Sequence, residues 1–305
     1  MLESPRRHAD SVRSAARRPG LDLPPSAVAD RHTTRLAPAD RREAPVDPIE
    51  ALLLGLAQGL TEFFPVSSSG HLAMLQALFG GRESGGLLFE VGVHVATLFA
   101  IAFFYRARIA ELLRGFVARE RETLEYVGKL ALGTVPAVVI GLGAKDFIDE
   151  QFSNPSMVGV LLLTTGCIVM STRWTAGKAT APVPSWGAAL LIGCAQAFAI
   201  LPGISRSGST VAMALLLGVA PLAAAEFAFL LGIIAIAGAA VLMIPDLQNA
   251  DLSAMTDLAI GGATALASGL VAITLFVRML DRSLFHHWAW YCWGVGGAFL
   301  LWTMN

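Results

Sequence analysis

Long apolar segments that carry almost no charge constrain this chain more than any other feature of its sequence. A membrane-spanning helix needs about 20 residues, and six segments have roughly that length. They cover residues 87–105, 126–144, 155–172, 221–244, 255–278 and 284–304. Hydrophobic residues make up 55% of the 305 residues, which is too apolar for an ordinary soluble domain. The sequence therefore predicts an all-α polytopic membrane protein with about six transmembrane helices.

Residues 1–46 differ in composition from the rest of the chain. They are rich in Arg, Ala, Pro and Asp and contain few aromatic or β-branched residues, which is typical of a disordered segment. They also lack the apolar core of a signal peptide. We therefore expect a disordered N-terminal tail at 1–46, with a wrongly assigned start near Val46 as the alternative, and a membrane domain at 47–305.

A polar stretch interrupts the first apolar region and is partly repeated later. It runs from Gln58 to His71 as Gln-Gly-Leu-Thr-Glu-Phe-Phe-Pro-Val-Ser-Ser-Ser-Gly-His. A shift of 138 positions superposes Gly55, Gln58, Ser67, Ser69 and Gly70 on Gly193, Gln196, Ser205, Ser207 and Gly208. The second copy supplies Arg206 where the first supplies a glutamate and a histidine. This division indicates two repeats that share one site.

Each polar stretch contains a break that separates two apolar segments, and each of these segments is too short to span a membrane. These segments are 48–64, 68–79, 187–205 and 207–219. They predict two re-entrant helical hairpins, because unwound backbone at membrane depth must face protein or water. Three spans separate the hairpins, so the hairpins enter from opposite faces and form an inverted repeat. We place repeat 1 at about 48–172 and repeat 2 at about 185–304.

Basic residues in the loops predict the orientation. Those after the first, third and fifth spans are Arg106, Arg108, Arg114, Arg119, Arg121, Arg173, Lys178, Arg278 and Arg282. Loops rich in Arg and Lys remain in the cytoplasm. We therefore expect the loops at 145–154 and 245–254 on the outer face.

Glu62 is the strongest candidate for a functional residue, because an ionisable side chain inside an apolar segment raises the free energy of membrane insertion. Gln58 lies one helical turn earlier on the same face. Together they can present an amide and a carboxylate to one ligand, and Glu62 is the candidate metal ligand. A buried Glu62 that only holds the hairpin together is the alternative.

The first break also places polar groups at the start of a helix. Free backbone amides around Ser67, Ser68, Ser69 and Gly70 would form an anion site there. For any single serine, helix capping is the simpler explanation. His71 lies in the first turn of the same helix and is a candidate proton donor, base or nucleophile.

In the second break, Arg206 lies between Ser205 and Ser207, with Thr210 one turn later. The planar guanidinium suits phosphate oxygens, and the neighbouring hydroxyls can form further hydrogen bonds with a group of phosphate size. A purely structural ion pair with Glu62 is the less favoured alternative.

Other polar residues carry weaker signals. For Glu90, His94 and Glu226, near the starts of apolar spans, capping or packing explains the residue at least as well as a functional role. The cysteines, Cys167, Cys194 and Cys292, lie singly in apolar segments, which predicts packing rather than a metal site or a disulfide.

The stretches Gln58 to His71 and Pro202 to Thr210 resemble those of the BacA/UppP undecaprenyl-diphosphate phosphatases, from about Asp47 to the C-terminus. The resemblance implies a multi-pass enzyme of the bacterial plasma (inner) membrane, with its active site open to the outer, periplasmic face. The implied reaction removes the terminal phosphate of undecaprenyl diphosphate, which recycles the lipid carrier for peptidoglycan synthesis and confers bacitracin resistance. A divalent cation, Mg²⁺ or Ca²⁺, is also implied.

On this resemblance, Glu62, Ser68, His71 and Arg206 are assigned as catalytic. The residues assigned to substrate binding are Gln58, Ser67, Ser69, Gly70, Ser205, Ser207 and Thr210. Some members have Glu where this chain has Gln58, which puts a two-carboxylate mechanism in doubt. The nucleophile is left open between Ser68, His71 and a water activated by Glu62.

The expected partners are the polyprenyl lipid substrate and membrane lipids, without nucleic acid, and a homodimer is left open. A prenyl-phosphate lipid transporter is the rival function, because inverted repeats with broken helices are typical of secondary transporters. Phosphate release from a prenyl diphosphate by detergent-purified protein would favour the enzyme.

Overall fold

The computed structural model describes residues 47–78, 86–152, 154–244 and 255–304, and these residues form twelve α-helices. The helices are α1 Pro48–Phe63, α2 Ser68–Leu78, α3 Gly86–Phe104, α4 Arg106–Val117, α5 Arg121–Gly143, α6 Lys145–Phe152, α7 Pro155–Ser171, α8 Trp186–Phe198, α9 Arg206–Leu216, α10 Pro221–Met243, α11 Met255–Asp281 and α12 Trp288–Thr303. The predicted tail at 1–46 and the predicted outer loop at 245–254 lie outside the described residues.

The all-α polytopic class is confirmed, with fewer long spans than predicted. Among the described residues, α5, α7, α10 and α11 are long and apolar enough to cross a membrane. α3 qualifies only together with α4, to which it is bent by 75°. The segment predicted as the last span contains a 3₁₀ turn at Phe285–His287, so α12 retains 16 residues. Within the described ranges, length and composition therefore support four or five spans, against the six predicted.

Both predicted breaks are present, although the second is longer than expected. α1 ends at Phe63 and α2 begins at Ser68. α8 ends at Phe198, whereas the sequence predicted a segment that continues to residue 205. The chain unwinds there because Pro202 has no N–H to donate and Gly203 adopts a φ of +101°. Re-entry of these helix pairs into the membrane stays a prediction.

Matched glycines pack each short helix against a long one. A Cβ atom on Gly55 of α1 would meet the backbone of Gly261 in α11, and one on Gly193 of α8 would meet the backbone of Gly133 in α5. Gly55 and Gly193 are positions that the shift of 138 superposes. Equivalent residues therefore make equivalent backbone contacts with a helix of the other predicted repeat. The repeat boundaries and the inverted orientation stay predictions.

A row of buried phenylalanines anchors the end of α1 beside the first break. The ring centroids of Phe63 and Phe229 are 5.8 Å apart, those of Phe229 and Phe276 5.1 Å, and those of Phe276 and Phe285 5.5 Å. Tilted and edge-on ring pairs are favourable. Because lipid is as apolar as these side chains, helix association in a membrane depends on such close packing.

Glu226 of α10 belongs to a separate polar contact. Its Oε1 accepts a hydrogen bond from Arg108 Nε at 2.9 Å and another from the Tyr126 hydroxyl at 3.1 Å. These bonds tie α4 and α5 to α10. The contacts favour the packing explanation for Glu226.

Candidate active site

The two breaks meet at Ser67. Its Oγ accepts hydrogen bonds from the N–H of Gly203, at 3.1 Å, and from the N–H of Gly70, at 3.3 Å. Ser67 has a φ of +65°, a backbone conformation that costs a residue other than glycine about 1–3 kcal/mol. The hydrogen bond to Gly203 joins the first break to the second, so this strained residue lies where the two copies touch.

Thr165 of α7 supports the second break. Its Oγ1 donates to the carbonyl of Gly203 at 2.7 Å and accepts from the N–H of Ser205 at 3.0 Å. The side chain is fully buried. Sequence reasoning missed Thr165, because a threonine inside an apolar helix ordinarily bonds to its own preceding turn.

The serines of both copies bond mainly to backbone. Ser205 Oγ caps α9 by accepting from the N–H of Gly208 at 3.1 Å. Ser207 Oγ donates to the carbonyl of Phe64, in the first break, at 3.2 Å. Ser69 Oγ lies 3.3 Å from Ser67 Oγ. Of these three hydroxyls, that of Ser207 joins the second break to the first, whereas those of Ser205 and Ser69 bond within their own copies.

Two further predicted binding residues lie at the helix starts. Thr210 Oγ1 donates to the carbonyl of Arg206 at 2.8 Å. The N–H of Gly70 is bound by Ser67. Among the described residues, the amides of Ser68 and Ser69 have no partner, so they remain available at the start of α2.

Glu62 is the centre of the site. Its Oε2 accepts from Gln58 Nε2 at 3.0 Å and from Ser68 Oγ at 2.6 Å. Its Oε1 forms an ion pair with Arg206 Nη2 at 2.5 Å. The Glu62 residue is buried, with 8% of its surface exposed. The ion pair that the sequence favoured less is therefore present, and it joins α1 to the start of α9.

Two buried polar atoms beside this carboxylate have no protein partner among the described residues. They are Oε1 of Gln58, an acceptor, and Nη1 of Arg206, a donor. Arg206 Nη1 lies against Gly232 of α10, where a Cβ atom would overlap it. Because buried polar groups are almost always paired, each of these atoms calls for a partner that a bound ligand or water would supply.

Both ring nitrogens of His71 are occupied. Nδ1 lies 2.8 Å from the carbonyl oxygen of Ser67, and Nε2 lies 2.9 Å from the hydroxyl of Tyr291. Because a carbonyl can only accept, Nδ1 carries a hydrogen, and Nε2 of the neutral ring accepts from Tyr291. Sequence reasoning missed Tyr291, which lies in an aromatic run at the start of α12.

His94 of α3 bonds within its own helix. Its Nδ1 lies 2.8 Å from the carbonyl oxygen of Glu90, one turn earlier. This contact favours the packing explanation for His94.

The donor set does not fit a preformed metal centre. The described residues include no group of three His, Cys, Asp or Glu side chains that could hold an ion. The oxygens of Glu62 already accept from an amide, a hydroxyl and a guanidinium. A cation would have to displace Arg206 from Glu62 or take its ligands from elsewhere.

Two apolar grooves lie beside α8. One, of about 650 Å³, is lined by α5, α6 and α8, and the other, of about 580 Å³, by α7, α8 and α9. Cys194 and Phe198 line both, so the grooves adjoin. The second groove includes Ser209, in the first turn of α9 after Arg206. An apolar ligand chain could lie in either groove.

This arrangement is suited to phosphoryl transfer. A hydroxyl, Ser68, donates to a carboxylate that can take its proton, which is how a serine nucleophile is activated. A guanidinium and the start of a helix lie at the same point and favour an anion.

Comparison with known proteins agrees with these features. The profile of the family "Bacitracin resistance protein BacA" matches residues 51–298. A protein of Desulfatibacillum aliphaticivorans is 39% identical over 271 residues, which cover 83% of this chain and 98% of the relative. One of Desulfosudis oleivorans is 40% identical over 273 residues, 84% and 98% of the two chains. Both relatives bear the name undecaprenyl-diphosphatase. The chain therefore belongs to the bacitracin resistance protein BacA family.

Proposed function

We propose that this chain is an undecaprenyl-diphosphate phosphatase that releases inorganic phosphate from the lipid carrier of cell-wall synthesis. The contact of Ser68 with Glu62, beside Arg206, carries the proposal, because it combines a nucleophile, a base and a phosphate-binding cation. The name of the relatives and the family's link to bacitracin resistance support it.

In the first step, Ser68 Oγ bonds to the terminal phosphorus while its proton passes to Glu62 Oε2. The bond from that phosphorus to the bridging oxygen breaks, and undecaprenyl phosphate leaves. Water then attacks the phosphoserine, releases inorganic phosphate, and the proton on Glu62 returns to Ser68. Of the nucleophiles left open by the sequence, Ser68 is favoured because its hydroxyl already donates to the carboxylate that would take its proton. His71 is disfavoured because both of its ring nitrogens are bonded.

Arg206 stabilises the charge on the transferred phosphoryl group, which is the main requirement of such a transition state. Its buried Nη1 has no protein partner among the described residues, so it can bond a phosphate oxygen without breaking the ion pair to Glu62. The amides of Ser68 and Ser69 add donors at the start of α2. Gln58 orients Glu62 through its side-chain amide.

The implied Mg²⁺ or Ca²⁺ enters this proposal as a partner of the diphosphate. Magnesium is commonly held by substrate phosphates with one or two carboxylates. The ion would therefore arrive with the substrate, and its binding to the protein alone would be weak. Calorimetry with each cation, with and without an unreactive diphosphate analogue, would test this order of binding.

The site lies in the bacterial plasma membrane and opens to the outer face in this proposal, and one of the grooves beside α8 holds the first part of the prenyl chain. The basic loops predicted to be cytoplasmic support the orientation. Whether the enzyme acts as a homodimer is a separate question that its mass in detergent would answer.

The deciding experiment is release of phosphate from undecaprenyl diphosphate by the detergent-purified full-length chain, without a membrane gradient. We expect equal amounts of inorganic phosphate and undecaprenyl phosphate. Intact substrate after prolonged incubation with each cation would reject the proposal. Gradient-dependent movement of the intact lipid in vesicles would then favour the transporter.

A further inference from the structure

We propose that Tyr291 is a positioning residue of this active site, which holds His71 and, through it, the peptide that precedes Ser68. The proposal rests on the proposed function for its kinetic readout. Its structural part concerns one contact, between the Tyr291 hydroxyl and Nε2 of His71, and can be measured without turnover.

Tyr291 stacks on the ring that it bonds. The centroids of the His71 and Tyr291 rings are 5.7 Å apart, and the ring planes differ by 11°. The hydroxyl lies 2.9 Å from Nε2. The parallel ring and the hydrogen bond together restrict rotation of the imidazole more than either would alone.

The first turn of α12 is itself attached to the first break. Trp288 stacks on Phe64 with a centroid distance of 4.4 Å and an angle of 21°, and it meets Tyr291 edge-on at 5.6 Å. The thiol of Cys292 donates to the carbonyl of Pro65 at 3.3 Å. Tyr291 therefore sits between two residues that bind α12 to the break, and its position relative to His71 is set by both.

The effect of this contact reaches Ser68 through the backbone. The carbonyl of Ser67 accepts from both the ring Nδ1 and the backbone N–H of His71, at 2.8 and 3.2 Å. That carbonyl belongs to the peptide whose N–H is on Ser68. Since Ser67 has a strained left-handed backbone, the peptide needs external support to keep one orientation. Tyr291 holds the ring, the ring holds the carbonyl, and the carbonyl fixes the direction of the Ser68 amide.

Tyr291→Phe retains the stacked ring and removes the hydroxyl, so it isolates the hydrogen bond. We expect kcat to fall about tenfold with KM changed less than about twofold, because the substrate does not touch Tyr291 in this proposal. Tyr126→Phe is the matched control, because it also removes a hydroxyl that donates, to Glu226, away from the site. It should leave both constants within about twofold of the unmodified enzyme.

A double-mutant cycle separates positioning from general packing. In a His71→Ala background, Tyr291→Phe should cost less than about twofold, because the partner of the hydroxyl is already gone. The same tenfold loss in that background, an undiminished kcat in Tyr291→Phe alone, or a raised KM with normal kcat would each overturn the proposal.

Nitrogen NMR of the ¹⁵N-histidine-labelled protein tests the role of Tyr291 independently of the proposed phosphatase function. If the unmodified chain releases no phosphate, the proposed function has failed, but the contact can still be tested. Tyr291→Phe should shift the ¹⁵Nε2 resonance of His71, assigned by its loss in His71→Gln, and should leave the other histidines in place. An unchanged His71 resonance would overturn the role of Tyr291 whatever the activity.

Discussion

Ser68 donates a 2.6 Å hydrogen bond to the same oxygen of Glu62 that accepts from Gln58, whereas Arg206 bonds the other oxygen. The carboxylate thus divides its two oxygens between a hydroxyl that can lose a proton and a cation that can bind phosphate. The first three predictions follow from this division.

Ser68→Ala should lower kcat by about 1,000-fold or more, because it removes the proposed nucleophile. Phosphate release under saturating substrate measures the loss. Ser156→Ala is the control, because that hydroxyl contacts Thr303 at the far end of α12. More than a tenth of normal activity in Ser68→Ala would point to water or His71 as the nucleophile.

Glu62→Gln retains the shape of the side chain and removes its charge and its ability to take a proton. We expect activity to fall about 100- to 10,000-fold, the usual range for loss of a general base. The same assay, repeated over a range of Mg²⁺ and Ca²⁺ concentrations, measures it. Survival of both the activity and its cation dependence would leave Glu62 with a structural role only.

Arg206→Lys keeps the charge but loses the planar group that bonds Glu62 through one nitrogen and leaves the other for phosphate. We expect at least about a 100-fold loss of kcat/KM. Arg108→Lys is the matched control, since Arg108 also bonds a glutamate, Glu226, outside the site. Near-normal hydrolysis by Arg206→Lys, at normal expression, would remove Arg206 from phosphate binding.

Gly55→Ala should destabilise the protein by about 1–3 kcal/mol, because the new methyl group would press against the backbone of Gly261. Gly238→Ala in α10 is the control, because its Cβ atom would meet no atom within 4 Å. Unfolding of both variants in detergent measures the difference. Equal stability of the two would show that α1 and α11 do not pack backbone to backbone.

The topology predicts which exposed positions an impermeant thiol reagent reaches in intact cells. In a background without Cys167, Cys194 and Cys292, single cysteines at Ala118 and Gly177 should stay unlabelled, because their loops are predicted to be cytoplasmic. A cysteine at Glu150 should react; Ser153 and Asn249, also in predicted outer loops, lie outside the described residues. Labelling of Ala118 and Glu150 from the same side would contradict the inverted repeat.

The centre of the site could be predicted from the sequence because its charged residues lie in apolar segments, where burying a charge is energetically costly. Glu62 and Arg206 are charged residues in apolar surroundings, and a functional role for such residues can be inferred without coordinates. Their direct pairing was less apparent, because distance between the two copies is a property of the packed fold. α8 was predicted too long, since apolar residues continue beyond Phe198, where the helix ends ahead of Pro202 and Gly203.

Thr165 and Tyr291 could not be found in this way. Each is a single hydroxyl in an apolar or aromatic helix, and such a residue ordinarily bonds its own helix or faces a membrane boundary. Their contacts with Gly203 and His71 exist only because α7 and α12 pack against the breaks. Residues that support a site from another helix leave little trace in local sequence.

The packing of Gly55 on Gly261 also bears on how the protein is made. α1 leaves the ribosome before α11, the helix that receives its glycine face, and nine of the described helices are synthesised between them. α1 is therefore inserted without its packing partner, and the contact between Gly55 and Gly261 can form only after α11 has followed.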